Sequence, residues 1–129
     1  MSYETMNGVV LKRIEVNDRS HFLVVFTKSG KHMISFWSSW KKKMDFNAVT
    51  SVPAIGQFIC QERKTGRYKL HDVALVRSYM NIRSSFEATT TYQKIMQHVE
   101  KWDVFNVDSN QWYLLITALL TALDRHIDP

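Results

Sequence analysis

Hydrophobic positions in the first 79 residues fall into five short segments rich in β-branched and aromatic residues, each bounded by glycine or by a polar cluster. The first predicted strand is Met6-Asn7-Gly8-Val9-Val10-Leu11-Lys12-Arg13-Ile14. A polar break, residues 15–20, leads to a second, His21-Phe22-Leu23-Val24-Val25-Phe26-Thr27. Lys28-Ser29-Gly30-Lys31 predicts a tight hairpin turn into a third, residues 32–37. Gly56 opens a fourth over residues 57–62, and Lys64-Thr65-Gly66-Arg67 makes a second hairpin into a fifth over residues 68–76.

Beyond Tyr79 the period lengthens to that of a helix. Ser84-Ser85-Phe86-Glu87 has the pattern of a capping box, with Phe86, Ile95, Val99 and Trp102 on one side of the helix it starts. The Thr89-Thr90-Thr91 run opposes that helix, because β-branched residues lose rotamer freedom in it. A second cap, Asp108-Ser109-Asn110-Gln111, precedes Trp112, Ile116, Leu119 and Leu123, and Leu115 and Leu120 widen the stripe. Two helices with faces this broad cannot bury them against each other alone. Part of the apolar surface is expected on the barrel, on another chain, or on further sequence.

Five strands with a long connection between the third and fourth, and hairpins at 2–3 and 4–5, match the order of an OB-fold barrel. Small SH3-type barrels are the nearest rival. The expected architecture is mainly β with an α appendage: a five-stranded OB-fold barrel at residues 1–79 followed by two or more helices at 80–129, as part of a larger helical domain.

Composition narrows the chemistry. The single cysteine, Cys60, excludes an intramolecular disulfide and a cysteine-rich zinc site, and its place along an apolar strand suits a buried filler. No apolar run reaches a membrane span, and the amino terminus lacks a basic stretch leading into an apolar one, so a soluble, unexported protein is expected. Residues 1–79 contain 13 Lys and Arg against 6 Asp and Glu, a net of +7, whereas residues 80–129 contain 4 against 6, a net of −2. An excess confined to the strand-rich part points to a polyanion partner. The five histidines show no metal-ligand spacing, no glycine-rich phosphate loop occurs, and neighbouring strand residues such as His71 and Asp72 are expected on opposite faces. Binding without catalysis, cofactor or metal is the expectation.

Single-strand recognition pairs cations for phosphates with flat rings that stack on unpaired bases. Trp37 and Trp40 beside Lys41, Lys42 and Lys43 supply both. On an OB-fold the ligand face combines strands 2 and 3 with the loops joining strands 1–2 and 4–5. Those loops contain Arg19, Arg63, Lys64 and Arg67, and Lys12, Arg13 and Lys31 lie on or near the adjoining strands, so three basic stretches are expected to converge. Trp37 can equally be barrel core; Trp40, beyond the strand, is expected to be exposed.

Gly8-Val9-Val10-Leu11-Lys12 followed by Asn17-Asp18, then Leu23-Val24-Val25-Phe26-Thr27-Lys28-Ser29-Gly30-Lys31, resembles the opening of the RecO recombination-mediator family. The strand ending Asp72-Val73-Ala74-Leu75-Val76-Arg77-Ser78-Tyr79 and the helices beyond it follow the same layout, so the resemblance runs over nearly the whole chain. It implies an amino-terminal OB-fold before a helical domain, single-stranded DNA binding, strand annealing and recombinase loading in DNA repair and recombination. It also implies partnership with RecR and single-strand-binding protein, and a place in the bacterial cytoplasm at the nucleoid. Family members are longer and often have a four-cysteine zinc module, where this chain has only Cys60. Their basic segment after the third strand is replaced here by Phe36-Trp37-Ser38-Ser39-Trp40-Lys41-Lys42-Lys43. The alternatives are an adaptor docking an acidic partner peptide, or an RNA-binding OB-fold.

Overall fold

The computed structural model describes residues 3–15, 21–50, 54–64, 67–101 and 109–125. Five strands, β1 (Tyr3–Glu15), β2 (His21–Thr27), β3 (Gly30–Phe36), β4 (Ala54–Lys64) and β5 (Arg67–Ser78), close into a barrel in the order β1-β2-β3-β5-β4. All neighbours are antiparallel except β3 and β5, whose parallel seam pairs Ile34 with Tyr68 and Ser35 with Lys69. The Ser35 hydroxyl donates to the Tyr68 carbonyl across that seam at 3.2 Å. With a helix between β3 and β4, this order is that of an OB-like fold.

Two glycines fit close quarters. A Cβ at Gly8 would lie 2.6 Å from both the Phe26 carbonyl oxygen and Val25 Cγ1, so β1 and β2 can meet there only without a side chain. Gly30, at φ 112°, closes the two-residue turn after Thr27 in a conformation that a side chain would strain.

The connection between β3 and β4 is structured. A 3₁₀ turn, Ser38–Lys42, leads into α1 (Met44–Thr50), and the Asn47 side-chain amide ties the two by donating to the Lys41 and Lys43 carbonyls at 2.7 and 3.1 Å. Phe46 and Val49, spaced i and i+3, plug the barrel and join Leu23, Val25, Ile34, Phe58 and Leu70 in its interior. Cys60 lies in the same interior; burial first, and the nearby Glu4 charge second, push its thiol up to about 12. A thiol held in its neutral form is a poor nucleophile, in keeping with filler.

A second core lies outside the barrel. Val9 and Phe26 from β1 and β2 meet Tyr79, Ile82 of α2 (Met80–Ser84), Ala88, Met96 and Val99 of α3 (Phe86–Lys101), and Tyr113, Ile116 and Leu120 of α4 (Ser109–Arg125). The helices therefore pack on the outer wall of the barrel, one of the three destinations open to their apolar faces. The cap of α3 differs by one residue from the expected box: the Ser85 hydroxyl accepts the Ala88 amide, and Ser84 ends α2. Consequently Phe86 is 87% exposed, and the buried stripe runs through Ala88, Met96 and Val99. The threonine run is accommodated because each hydroxyl donates to a backbone carbonyl, Thr89 to Ile82, Thr90 to Phe86 and Thr91 to Glu87. On α4 the buried positions are Tyr113, Ile116 and Leu120, whereas Leu115 and Leu119 face outward. Trp102 lies outside the described residues.

Candidate nucleic-acid interface

Pairing register defines the outer face of the barrel. One row crosses four strands through Ile14, Phe22, Ser35 and Lys69, and the next crosses three through Lys12, Val24 and Met33. Directly opposite residues share a face, so the inward Leu23, Val25 and Ile34 put these rows outside. Trp37 continues the alternation. Its backbone is still extended, at φ −82° and ψ 149°, so its ring falls opposite the buried Phe36 and is 59% exposed. The parallel seam brings Lys69 beside it, with Nζ 4.4 Å from the indole centroid. A cation this close to a tryptophan face is attracted by the ring quadrupole and holds the indole in place.

Trp37 and Lys69, with Phe22, His21, Ser35 and Arg63, line an open concavity of about 340 Å³ at this end of the barrel. It combines an exposed indole, two cations from different strands and a partly apolar floor. Sequence patterning points to Arg63 and Trp37 as parts of the interface. It does not point to Lys69, Phe22 or His21, because only the non-local β3–β5 seam brings residue 69 to residue 37; the outward parity of Lys69 within β5 is the one local signal for it.

The neighbouring tryptophan behaves differently. Trp40 is not exposed as its position beyond the strand suggests: the 3₁₀ turn folds its ring back against the barrel core, 6.2 Å from the Phe46 ring, with Lys43 Nζ 4.6 Å over its other side. The convergence of three basic stretches is also corrected. Arg13 and Lys41 point to the mouth of the barrel that α1 plugs, where the Arg13 guanidinium lies 5.7 Å over Phe46. Both are bound by one carboxylate: Arg13 Nη2 and Lys41 Nζ each lie 3.0 Å from Glu15 Oε1. Lys41 first, and Arg13 second, hold the Glu15 carboxyl below the usual carboxylate range. These two cations are thus partly neutralised within the protein.

The remaining expected residues divide. Lys12 is exposed beside Val24 on the outer face, and Lys42, Lys43 and Arg67 are exposed. Lys31 is half-buried opposite Phe26, at the end of the face that α4 covers. Arg19 lies outside the described residues, as does the side chain of Lys64. His71 and Asp72 are both exposed because the β4–β5 register shifts beside them. The Tyr3 ring lies 4.6 Å from His71, and Asp72 accepts the Val73 amide, so they form no dyad.

A larger open groove, about 660 Å³, lies between α4 and the barrel. Its floor includes Ile55, Val76 and Leu114, and Lys28, Arg77 and Arg125 contribute to its lining from three different elements. Among the described residues no group of three potential metal ligands occurs, and no helix is long and apolar enough to cross a membrane.

No protein-family model matches the chain, and no curated protein matches it. Among solved structures, it is similar to TiaS in its complex with a transfer RNA and ATP at 14% identity and a TM-score of 0.46, over 59% of this chain and 18% of that one. It is also similar to a ZRD-deleted mutant of TiaS in complex with agmatine, at 15% identity and a TM-score of 0.45, over 59% and 21%. The S. pombe Stn1–Ten1 complex gives 10% identity and a TM-score of 0.42, over 74% and 76%. The chain thus spans about a fifth of the TiaS chains it matches. Likenesses this distant leave the fold to its own strand order and the function to the site.

Proposed function

We propose that this protein is a RecO-like single-stranded DNA-binding protein of the nucleoid, which holds unpaired strands on the outer face of β2 and β3 and serves annealing and recombinase loading with RecR and single-strand-binding protein. The observation that carries the reading is the exposed Trp37 indole held by Lys69 beside Arg63, in a concavity on the strand face where OB-folds take their ligands. The net of +7 on residues 1–79 adds the long-range attraction that a polyanion partner requires. The family-like order of strands and turns supports the finer assignment to recombination. The rings and cations of the site suit binding, and the proposed role is binding without catalysis.

The test is the affinity for a labelled single-stranded oligonucleotide across a salt series, with the matching duplex as control. Preferential single-strand binding is expected, with log K falling against log[salt] by about 0.7 per phosphate neutralised. No binding at low salt sinks the proposal. An RNA oligonucleotide of the same sequence separates the RNA-binding alternative, which requires contacts to the 2′-hydroxyl.

The groove against α4 favours a second reading, the adaptor. Its apolar floor and the cations Lys28, Arg77 and Arg125 suit an acidic peptide with apolar side chains. Arg125→Glu should weaken such a peptide and leave single-strand binding in place; the reverse pattern sinks this reading.

A further inference from the structure

The outer row that crosses β2 and β3 does not stop at Lys69. In the β4–β5 register Lys69 lies opposite Gln61, and in the β1–β4 register Gln61 lies opposite Tyr3. The row of Ile14, Phe22, Ser35 and Lys69 therefore continues through Gln61 to Tyr3 and takes in all five strands. Parity agrees: Glu4 and Glu62, the next residues along β1 and β4, fall on the other side with the interior Cys60, which is the partner of Glu4. Tyr3 belongs to neither core and is 54% exposed, close to the 59% of Trp37. Its ring meets that of His71 with centroids 4.6 Å apart and planes 43° apart. His71 is the extra residue where Ile59 pairs with Asp72 and Cys60 with Leu70, and a bulge of this kind re-aims a side chain.

A single exposed ring needs no explanation. Two exposed rings on one row with a lysine between them match the way single-strand proteins stack successive bases along a cationic track. Arg63, two residues beyond Gln61 on β4, adds a second cation from the concavity. Asp72, the carboxylate next to His71, accepts the Val73 amide at 2.8 Å. We infer that a bound single strand continues past Trp37 and Lys69, around the wall formed by β5, β4 and β1, to a second stacking platform made of Tyr3 backed by His71. The inference rests on the single-strand reading and extends its path beyond the face of β2 and β3. Strands ~4.8 Å apart put Tyr3 about 10 Å across the wall from Lys69, a span that about three nucleotides stacked at ~3.4 Å cover.

The experiment compares the affinities of the full chain and of Tyr3→Ala for a dT dodecamer and a dT trinucleotide at one low salt concentration, with Trp37→Ala alongside. The dodecamer reaches both platforms, so Tyr3→Ala is expected to weaken it about tenfold, the scale of one stacked base lost. The trinucleotide is held by the Trp37 and Lys69 end alone, so the same variant is expected to change its affinity by less than about twofold. Tyr3→Phe keeps the ring and should bind both oligonucleotides as the parent does. His71→Ala, which removes the ring behind Tyr3, carries the same length-dependent loss should Tyr3→Ala fail to fold. An unchanged dodecamer affinity, or an equal loss at both lengths, would overturn the second platform; a Trp37→Ala variant that still weakens the dodecamer would leave strand binding standing. Absence of dodecamer binding by the intact protein would overturn the strand-binding reading and the platform with it.

Discussion

Trp37 and Trp40 are three residues apart, and each has a lysine ammonium within 5 Å of its ring centroid, Lys69 at 4.4 Å and Lys43 at 4.6 Å. Their surroundings nevertheless differ in kind. Trp37 leaves an extended strand end into a solvent-open concavity, whereas Trp40 leaves a 3₁₀ turn and rests on the plug of the barrel beside Phe46. The same separation holds for the charges. Beside Trp37, Lys69 and Arg63 line the open site; beside Trp40, Arg13 and Lys41 converge on Glu15. Aromatic rings interleaved with lysines are therefore one composition with two uses. Backbone geometry over residues 37–40 decides which ring is offered to a ligand and which is kept for the core.

Alanine at each position separates the two uses. Trp40→Ala should show the larger effect on folding, a loss of roughly 2 kcal/mol of stability, because truncating a large ring that packs on the core leaves a gap the plug helix cannot fill; a half-buried ring falls below the 3–5 kcal/mol of a fully buried one. Chemical denaturation measures it, and an unchanged midpoint would return Trp40 to the surface. Trp37→Ala should do the reverse: a denaturation midpoint within error of the parent, and single-strand affinity lowered by ~1–3 kcal/mol, the range found for one stacked base. Lys69→Ala should follow with a smaller loss, visible as a salt slope reduced by about 0.7. A Trp37→Ala variant with full affinity would mean that bases stack elsewhere.

Much of this fold is legible in the residues, and each exception has its own physical cause. All five strands and the turn between β2 and β3 follow from local patterning, since a period of two and a glycine-bearing turn depend only on neighbours; the turn expected at residues 65–66 lies outside the described residues. The 3₁₀ turn and α1 look like plain connection in the sequence: Phe46 and Val49 form a single i, i+3 pair, too short a signal beside the lysine run. Phe86 falls on the outer side of α3, against the box pattern, because the cap is Ser85, one residue later than that pattern indicates. In the candidate site, the segment containing Trp37 is legible as a strand end, but its companions are not. Lys69 reaches it through the two-pair β3–β5 seam, and Arg13 and Lys41 leave the face to meet Glu15. The contacts of Lys69 with Trp37 and of Lys41 with Glu15 join residues more than twenty positions apart and leave no periodic trace, whereas Arg13 and Glu15 lie two apart on one strand.

The smallest expected effect tests whether the Trp40 cluster is silent by nature or silenced by one carboxylate. Glu15 accepts from Arg13 Nε and Nη2 at 3.2 and 3.0 Å, and its Oε1 lies 3.0 Å from Lys41 Nζ, so one negative charge occupies two cations at the edge of a basic region. Its pKa is lowered, principally by Lys41 and next by Arg13, so the pairing persists to lower pH than an ordinary carboxylate would allow. Protonation breaks the arrangement, and Glu15→Gln reproduces the neutral form at any pH. The carboxylate is exposed and its two cations are partly so, and ion pairs at the surface contribute little to folding, so the variant should melt close to the parent. Freed from the carboxylate, Lys41 and Arg13 should add about one phosphate contact, steepening the salt slope by about 0.7 and raising low-salt affinity about twofold. Paired with Trp37→Ala, the same change asks whether the new contact lies on the existing strand path. Equal slope increments in both backgrounds would place the freed cations on a separate electrostatic patch, and an increment lost with Trp37 would join the Glu15 cluster and the Trp37 concavity into one track.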